Sequence, residues 1–271
     1  MRSARAQLTI PMDITSPHNP RLKAAAKLRQ GNVRAQEHRF LIEGRREIQR
    51  AIAAKVAIEE AFVKIGDASQ NELVEQLRLA GTQILPTAPG PFEKLAFGER
   101  DEGIVVVART PQVELDNLRL PEPPLVLVLE GVEKPGNVGA VLRTADAAGV
   151  SAVIVAAGGT DLYNPNAIRA SLGAIFMVPV CAASSEETLA WLQQRKLAIF
   201  ATRVDGAVDY ASASYRGPSA IVLGSEAHGL SPTWCGAGVT AISLPMLGVV
   251  DSLNVSATAA VLCYEAVRQR R

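Results

Sequence analysis

The chain has 271 residues, 48% of them hydrophobic, with a formal net charge of +1 and a mean hydropathy of +0.14. It can bury a real core and has room for two modest domains or one large α/β domain. No apolar run reaches the roughly 18 residues of a membrane span, and the opening MRSARAQLTIPMD lacks the apolar core of an export signal. A cytoplasmic protein without membrane contact is expected, its Cys181, Cys235 and Cys263 being packed, reduced thiols with no metal-ligand spacing.

Residues 1–50 hold 11 Lys and Arg against 4 Asp and Glu, including Arg21, Lys23, Lys27, Arg29, Arg34, Arg39, Arg45 and Arg46. With Phe40 as the only aromatic, this stretch suits phosphate attraction better than base stacking; the plain alternative is a solvated helix face. Apolar and basic residues at helical spacing predict a first helix over 20–28. A strand at 40–44 (FLIEG), a helix at 45–54, a strand at 61–65 (AFVKI) and a helix at 71–80 follow. Strands at 82–86 (TQILP) and 103–109 (GIVVVAR) complete a small α/β domain over 1–110. The next stretch, TPQVELDNLRLPEPP, carries four prolines and little apolar periodicity, so 111–124 reads as a linker.

The second domain, 125–271, changes pattern. LVLVLEG (125–131), AVIVAAG (152–158), AIFAT (198–202) and AIVLGSE (220–226) alternate with helical stretches near 138–148, 164–173 and 185–195. Continuous apolar strands between helices predict a parallel sheet covered on both faces, with ligands beyond the carboxyl ends of the strands.

Three segments at such strand ends carry polar residues. In GVEKPGNVGAVLRTADAAG, Gly136 and Gly139 open a helix bearing Arg143; the lack of GxGxxG weakens a dinucleotide reading. Asn137 can cap that helix or bind a ligand, and Arg143 can be a surface ion-pair residue. In GSEAHGLS, Gly224 and Gly229 flank Glu226, and glycine permits close backbone approach. His18, His38 and His228 have no metal spacing and no nucleophile elbow is present, so hydrolase and metalloenzyme readings fall and no metal is expected. In DSLNVS (251–256), Ser252, Asn254 and Ser256 stand two apart before an Ala-rich helix at 257–266, and Ser252 reads as its N-cap.

Taken in order, N-x-G-A-x-x-R-T-A, then strand-G-S-E-x-x-G-L, then S-x-P-M followed by D-S-L-N-V-S resemble the three motifs of the SpoU (TrmH-like) RNA ribose methyltransferases of the SPOUT superfamily. The likeness covers about 125–271. ITSPHNPRLKAAAKLR and RFLIEGRREIQRAI are similar to the opening of rRNA-modifying members. The resemblance implies an α/β fold: a SPOUT parallel sheet with a C-terminal trefoil knot, plus a smaller N-terminal ribosomal-protein-like RNA-binding domain. It also implies methyl transfer from S-adenosyl-L-methionine to a ribose 2′-hydroxyl, with ribosomal RNA favoured over transfer RNA. A homodimer through the knotted domain is implied too, and Val261, Leu262 and Val267 of the last helix are compatible with it.

Carried over by motif, Arg143, Asn137, Glu226, Ser252 and Asn254 are the catalytic candidates, with Glu226 positioning Arg143 or Asn137. Thr202, Gly224, Leu244 and Leu253, with loop 245–252, are the cofactor candidates. Arg21, Lys23, Lys27, Arg29, Arg39 and Arg45 are the RNA candidates. Two other classes stay open: a knotted RNA-binding protein without catalysis, and a Rossmann-type oxidoreductase.

Overall fold

A computed structural model describes residues 13–96, 102–158, 160–205 and 208–271. The basic opening stretch 1–12 lies outside the described residues. The chain divides into two compact units, Met1–Thr110 and Pro111–Arg271.

The first unit runs α1 (Pro20–Lys27), α2 (Gly31–Glu37), β1 (Arg39–Glu43), α3 (Arg45–Ala53), β2 (Ile58–Lys64), α4 (Asn71–Leu79), β3 (Gln83–Thr87), α5 (Pro89–Phe92) and β4 (Ile104–Arg109). Its sheet has the order β1-β4-β2-β3, with β4 antiparallel to both neighbours and β3 parallel to β2. Asn19 starts α1 by accepting the Arg21 N–H at 2.9 Å, and Pro20 at the first helical position has no N–H to satisfy. Leu22, Ala25 and Leu28 then pack on Leu41, Phe62, Leu85 and Val105. Helices α2 and α5 were not expected, being too short to show a period. Arg34, counted in the basic stretch, is buried and donates to the Leu28 carbonyl at 2.6 Å.

The second unit contains β5 (Leu125–Glu130), α6 (Pro135–Ala148), β6 (Ala152–Ala156), α7 (Pro165–Ala170), β7 (Val180–Ala183), α8 (Ser185–Gln194), β8 (Ala198–Thr202), β9 (Val208–Asp209), β10 (Ser219–Leu223), β11 (Val239–Ser243) and α9 (Val255–Arg270). All pairs in the order β7-β6-β5-β10-β8-β11-β9 are parallel. Strand alternation gives two buried faces. Val126, Val128, Ile154 and Val222 pack with Trp191 of α8 and with Trp234, while Leu127, Leu129, Val153 and Ile221 are buried on the other side, where α6 and α9 lie. Strands β7 and β9 escaped the sequence reading because each has four residues or fewer.

The expected linker is not loose. Leu118 is buried in the second unit's core, and Val113, Leu115 and Leu120 pack against it, so these apolar side chains bind the stretch to the sheet unit. The end of the same stretch is held from α9, where the Arg270 guanidinium gathers four carbonyls. It donates to Tyr215 at 2.8 Å, Pro123 at 2.9 Å, Pro124 at 3.0 Å and Gly217 at 2.8 Å. Helix α9 buries Val255, Ala259, Leu262, Cys263 and Ala266. Leu262, read as an interface residue, is thus core, whereas Val261 and Tyr264 are exposed. Cys181 and Cys263 are buried, and burial pushes their thiols up to about 11 and about 12; Cys235 is exposed, contrary to the expectation for all three.

Helices α6 and α7 touch backbone to backbone at Gly139, where a Cβ would fall 2.4 Å from the Ala167 carbonyl oxygen and 2.6 Å from the Ala170 Cβ. Gly136, three residues earlier, meets nothing within 4 Å. Gly139→Ala is expected to destabilise the second unit by about 1–3 kcal/mol through overpacking, while Gly136→Ala is neutral or slightly stabilising. Both tryptophans belong to this unit, so urea denaturation followed by tryptophan fluorescence measures it alone.

Candidate active site

The C-terminal ends of the adjacent strands β10, β8 and β11 open into a cleft of about 990 Å³. Thr202 ends β8, Leu223 and Gly224 end β10, and Ser243 and Leu244 leave β11. The segment from Met246 to Leu253 forms the remaining wall. All four cofactor candidates, Thr202, Gly224, Leu244 and Leu253, line this cleft, as do Glu226 and Ser252.

Gly224 permits a close backbone approach within the chain itself. Its missing Cβ is the place where the Gly229 carbonyl group sits, 2.4–2.5 Å away, with the Leu230 nitrogen at 2.7 Å. The hairpin Ser225–Gly229 therefore folds straight back onto the end of β10. Two backbone hydrogen bonds between Ser225 and Gly229, 3.1 and 3.0 Å, close it, and Gly229 takes φ +66°.

This hairpin presents Glu226 to the N-termini of α6 and α9. Glu226 Oε1 accepts from Asn254 Nδ2 at 2.6 Å and from Asn137 Nδ2 at 3.2 Å, and Oε2 accepts from Lys134 Nζ at 3.3 Å. Asn254 Oδ1 accepts from the Ser256 N–H at 3.0 Å and its hydroxyl at 2.6 Å. A carboxylate can only accept, and the Asn254 carbonyl is already occupied, so the orientation of that amide is fixed by its partners. The Lys134 hydrogen bond, more than any other influence, holds the Glu226 carboxyl below the usual range.

Asn254, not Ser252, is the N-cap of α9; Ser252 stands on the cleft wall and caps nothing. Glu226 does hold Asn137, but it makes no bond to Arg143. Arg143 is exposed on α6 and, among the described residues, makes no hydrogen bond or ion pair and does not line the cleft. Lys134 as a partner of Glu226 is not legible in the sequence. The role of Ser256 is signalled only by its two-residue spacing from Asn254, the spacing of a cap.

The cleft suits S-adenosylmethionine in chemistry. Leu223, Leu230, Leu244, Met246 and Leu253 offer apolar surface for the purine and methylenes. Among the described residues, no backbone group from Leu244 to Leu253 is hydrogen-bonded within the chain, leaving donors and acceptors for the adenine edge. Arg203 is paired with Asp205 at 2.6 Å and Glu226 with Lys134 at 3.3 Å, which leaves Asp251 as the acidic surplus on the wall, a small balance toward a sulfonium cation.

In the first unit, most of the RNA candidates already have partners. Arg21 lies 3.6 Å from Glu60, and Arg39 lies 2.7 Å from Glu37 and 3.7 Å from Glu59. Arg45 lies 3.3 Å from Glu72, and Arg29 donates to the Ala96 carbonyl. Lys23 and Lys27 are exposed, four positions apart on α1, and unpaired among the described residues.

Residues 124–264 match the model of the SpoU rRNA Methylase family, and residues 19–106 that of the MRM3-like substrate binding domain. The 23S rRNA (uridine(2479)-2'-O)-methyltransferase of Streptomyces viridochromogenes is 31% identical over 90% of this chain and 88% of its own length. The 23S rRNA (guanosine-2'-O-)-methyltransferase RlmB of Ralstonia nicotianae is 34% identical over 79% of this chain and 89% of its own. A solved RNA 2'-O ribose methyltransferase superposes with a TM-score of 0.81 at 43% identity, covering 96% of this chain and 99% of that one. The AdoMet-bound rRNA methyltransferase of Sinorhizobium meliloti gives 0.87 at 26% identity, covering 95% and 97%. The chain belongs to the SpoU rRNA methylase family.

Proposed function

We propose that this protein is an S-adenosylmethionine-dependent RNA (ribose-2′-O)-methyltransferase that modifies ribosomal RNA in the cytoplasm. The observation that carries the reading is the Asn137–Glu226–Asn254 network, which joins all three motifs beside a cleft of suitable chemistry. When bound, S-adenosylmethionine supplies a sulfonium methyl group already activated toward a nucleophile. Leu244, Leu253 and the backbone between them would hold the cofactor from one side of the cleft, and Thr202 and Gly224 from the other.

The remaining difficulty is the weakly acidic ribose hydroxyl, which has to be aligned and its developing charge stabilised. A guanidinium with pKa above ~12 is a poor proton acceptor but a strong anion stabiliser. Arg143, exposed and without a partner among the described residues, takes that role toward the 2′-oxygen or the adjoining phosphate. Glu226 keeps Asn137 and Asn254 in one orientation to receive the ribose. Ser252 contributes from the cleft wall.

The second unit closes as a trefoil knot and pairs with a second copy, whose surface completes the RNA site. The adjacency of β10, β8 and β11 together with the packing of α9 on α6 supports the knot. The exposed Leu247, Val249, Val261 and Tyr264 support the dimer, since they are apolar surface left uncovered in one copy. The first unit holds RNA phosphates, with Lys23 and Lys27 as its available cations; Arg21, Arg29, Arg39 and Arg45 reach RNA only by sharing or leaving their present partners.

Mapping 2′-O-methylated nucleotides in ribosomal RNA with and without the protein tests the function, and an unchanged map would overturn it. Arg143→Ala is expected to lower methyl transfer by about a hundredfold or more, with S-adenosylmethionine affinity by calorimetry unchanged. Replacing Lys23 and Lys27 by Gln is expected to weaken RNA binding uniformly across sequences and to flatten the log–log salt dependence by about 2. The pH response follows from Glu226. Its folded pKa is depressed, so its ionised form persists until pH falls through that lowered value. Lys134→Met removes the main cause, and the acid limb of the pH–rate profile is expected to move to higher pH.

A further inference from the structure

A second carboxylate, outside the cleft, is hydrogen-bonded at the foot of the hairpin that carries Glu226. Glu130 ends β5 and is 4% exposed. Its Oε2 accepts the Ser231 N–H at 2.7 Å and its Oε1 accepts the Ser231 hydroxyl at 2.8 Å. Oε1 also accepts the hydroxyl of Ser185, the first residue of α8. Burial works against the charge, but the hydrogen bonds from Ser185 and Ser231 outweigh it and hold the carboxyl below its usual range.

Stability alone does not account for such a group. An ionised side chain in a core costs desolvation energy, and apolar residues of similar volume commonly serve stability as well or better. What a carboxylate adds is direction. Two oxygens at a fixed angle grip two donors of one residue, so they set the orientation of Ser231 as well as its distance. Ser231 follows Leu230 at the stem of the hairpin whose other stem residue, Gly224, is pressed against Gly229. The hairpin is therefore clamped at both stems, and it bears Glu226 and supplies Ser225, His228, Gly229 and Leu230 to the cleft wall.

We propose that Glu130 is a positioning residue for the cofactor cleft: by chelating Ser231 it fixes the stem of the Ser225–Gly229 hairpin and hence one wall of the cleft and Glu226. This rests on the reading of the cleft as the S-adenosylmethionine site. The two serines divide the roles of the carboxylate. Ser231 transmits position to the hairpin, whereas Ser185 only ties α8 to the end of β5.

The test compares full-length Ser231→Ala, Ser185→Ala and Glu130→Gln with the wild type. The measurements are S-adenosylmethionine calorimetry, exchange without cofactor of the hydrogen-bonded amides of residues 229 and 231, and the thermal midpoint. Ser231→Ala keeps the backbone bond to Glu130 and so keeps the fold if Glu130→Gln does not. Ser231→Ala is expected to weaken cofactor binding by about tenfold and to speed exchange at both amides. Ser185→Ala is expected to lower the midpoint while leaving binding and exchange unchanged. Equal effects of the two serine variants on binding and exchange, or wild-type exchange in Ser231→Ala, would overturn the proposal. A wild-type protein that binds no S-adenosylmethionine would instead refute the cofactor reading, and the exchange data would still decide what Glu130 does.

Discussion

An ionised carboxylate is a group that can only accept hydrogen bonds, and the site is arranged around that restriction at Glu226. Three donors converge on its two oxygens, from Lys134 and Asn137 at the start of α6 and from Asn254 at the start of α9. Because Glu226 cannot donate, both asparagines must turn their Nδ2 groups toward it. Ser256 then occupies the remaining side of Asn254, and that amide has one orientation left. Residues 137, 226 and 254 thus behave as one polar unit, although they come from three distant parts of the chain.

That unit can assemble only if helices and strand ends approach closely, and small residues make this possible. Gly139 lets α6 meet α7 at backbone distance, Gly224 lets the hairpin fold onto β10, and Ala259, Cys263 and Ala266 give α9 a thin buried face. Arg270 fixes the far end of α9 by satisfying four carbonyls at 123–124, 215 and 217. Precision at the site depends on these contacts outside it, because a polar network held loosely loses its geometry to solvent competition.

In the first unit, charge is distributed differently from its order along the chain. Strand β2 brings Glu59 and Glu60 to Arg39 and Arg21, and α4 brings Glu72 to Arg45. Pairs of this exposed kind are individually weak, so RNA phosphates can compete for the same arginines. They still lower the local excess of positive charge, and among the described residues Lys23 and Lys27 are the cations of α1 without a partner.

The long apolar strands, with their β-branched residues and regular helical spacers, were legible in the sequence because a doubly covered parallel sheet requires such runs. So were the polar positions at the strand ends, through the order and spacing of the three motifs, and Thr202, Gly224, Leu244 and Leu253 do line one cleft. Short elements such as β7 and α2 were not legible, since a few residues carry no period. The Pro-rich stretch at 111–124 has the composition of a linker, yet Leu118 finds an apolar surface that composition cannot foresee. Pairing was beyond the sequence for the same reason: whether Glu226 meets Arg143 or Lys134, and whether an arginine is free or neutralised, depends on contacts between residues far apart in the chain. The sequence by itself determined the alternation of strands and helices and the identity of the polar groups. Tertiary structure alone decided their partners, because hydrogen bonds and ion pairs act over a few ångströms of space, whatever the separation along the chain.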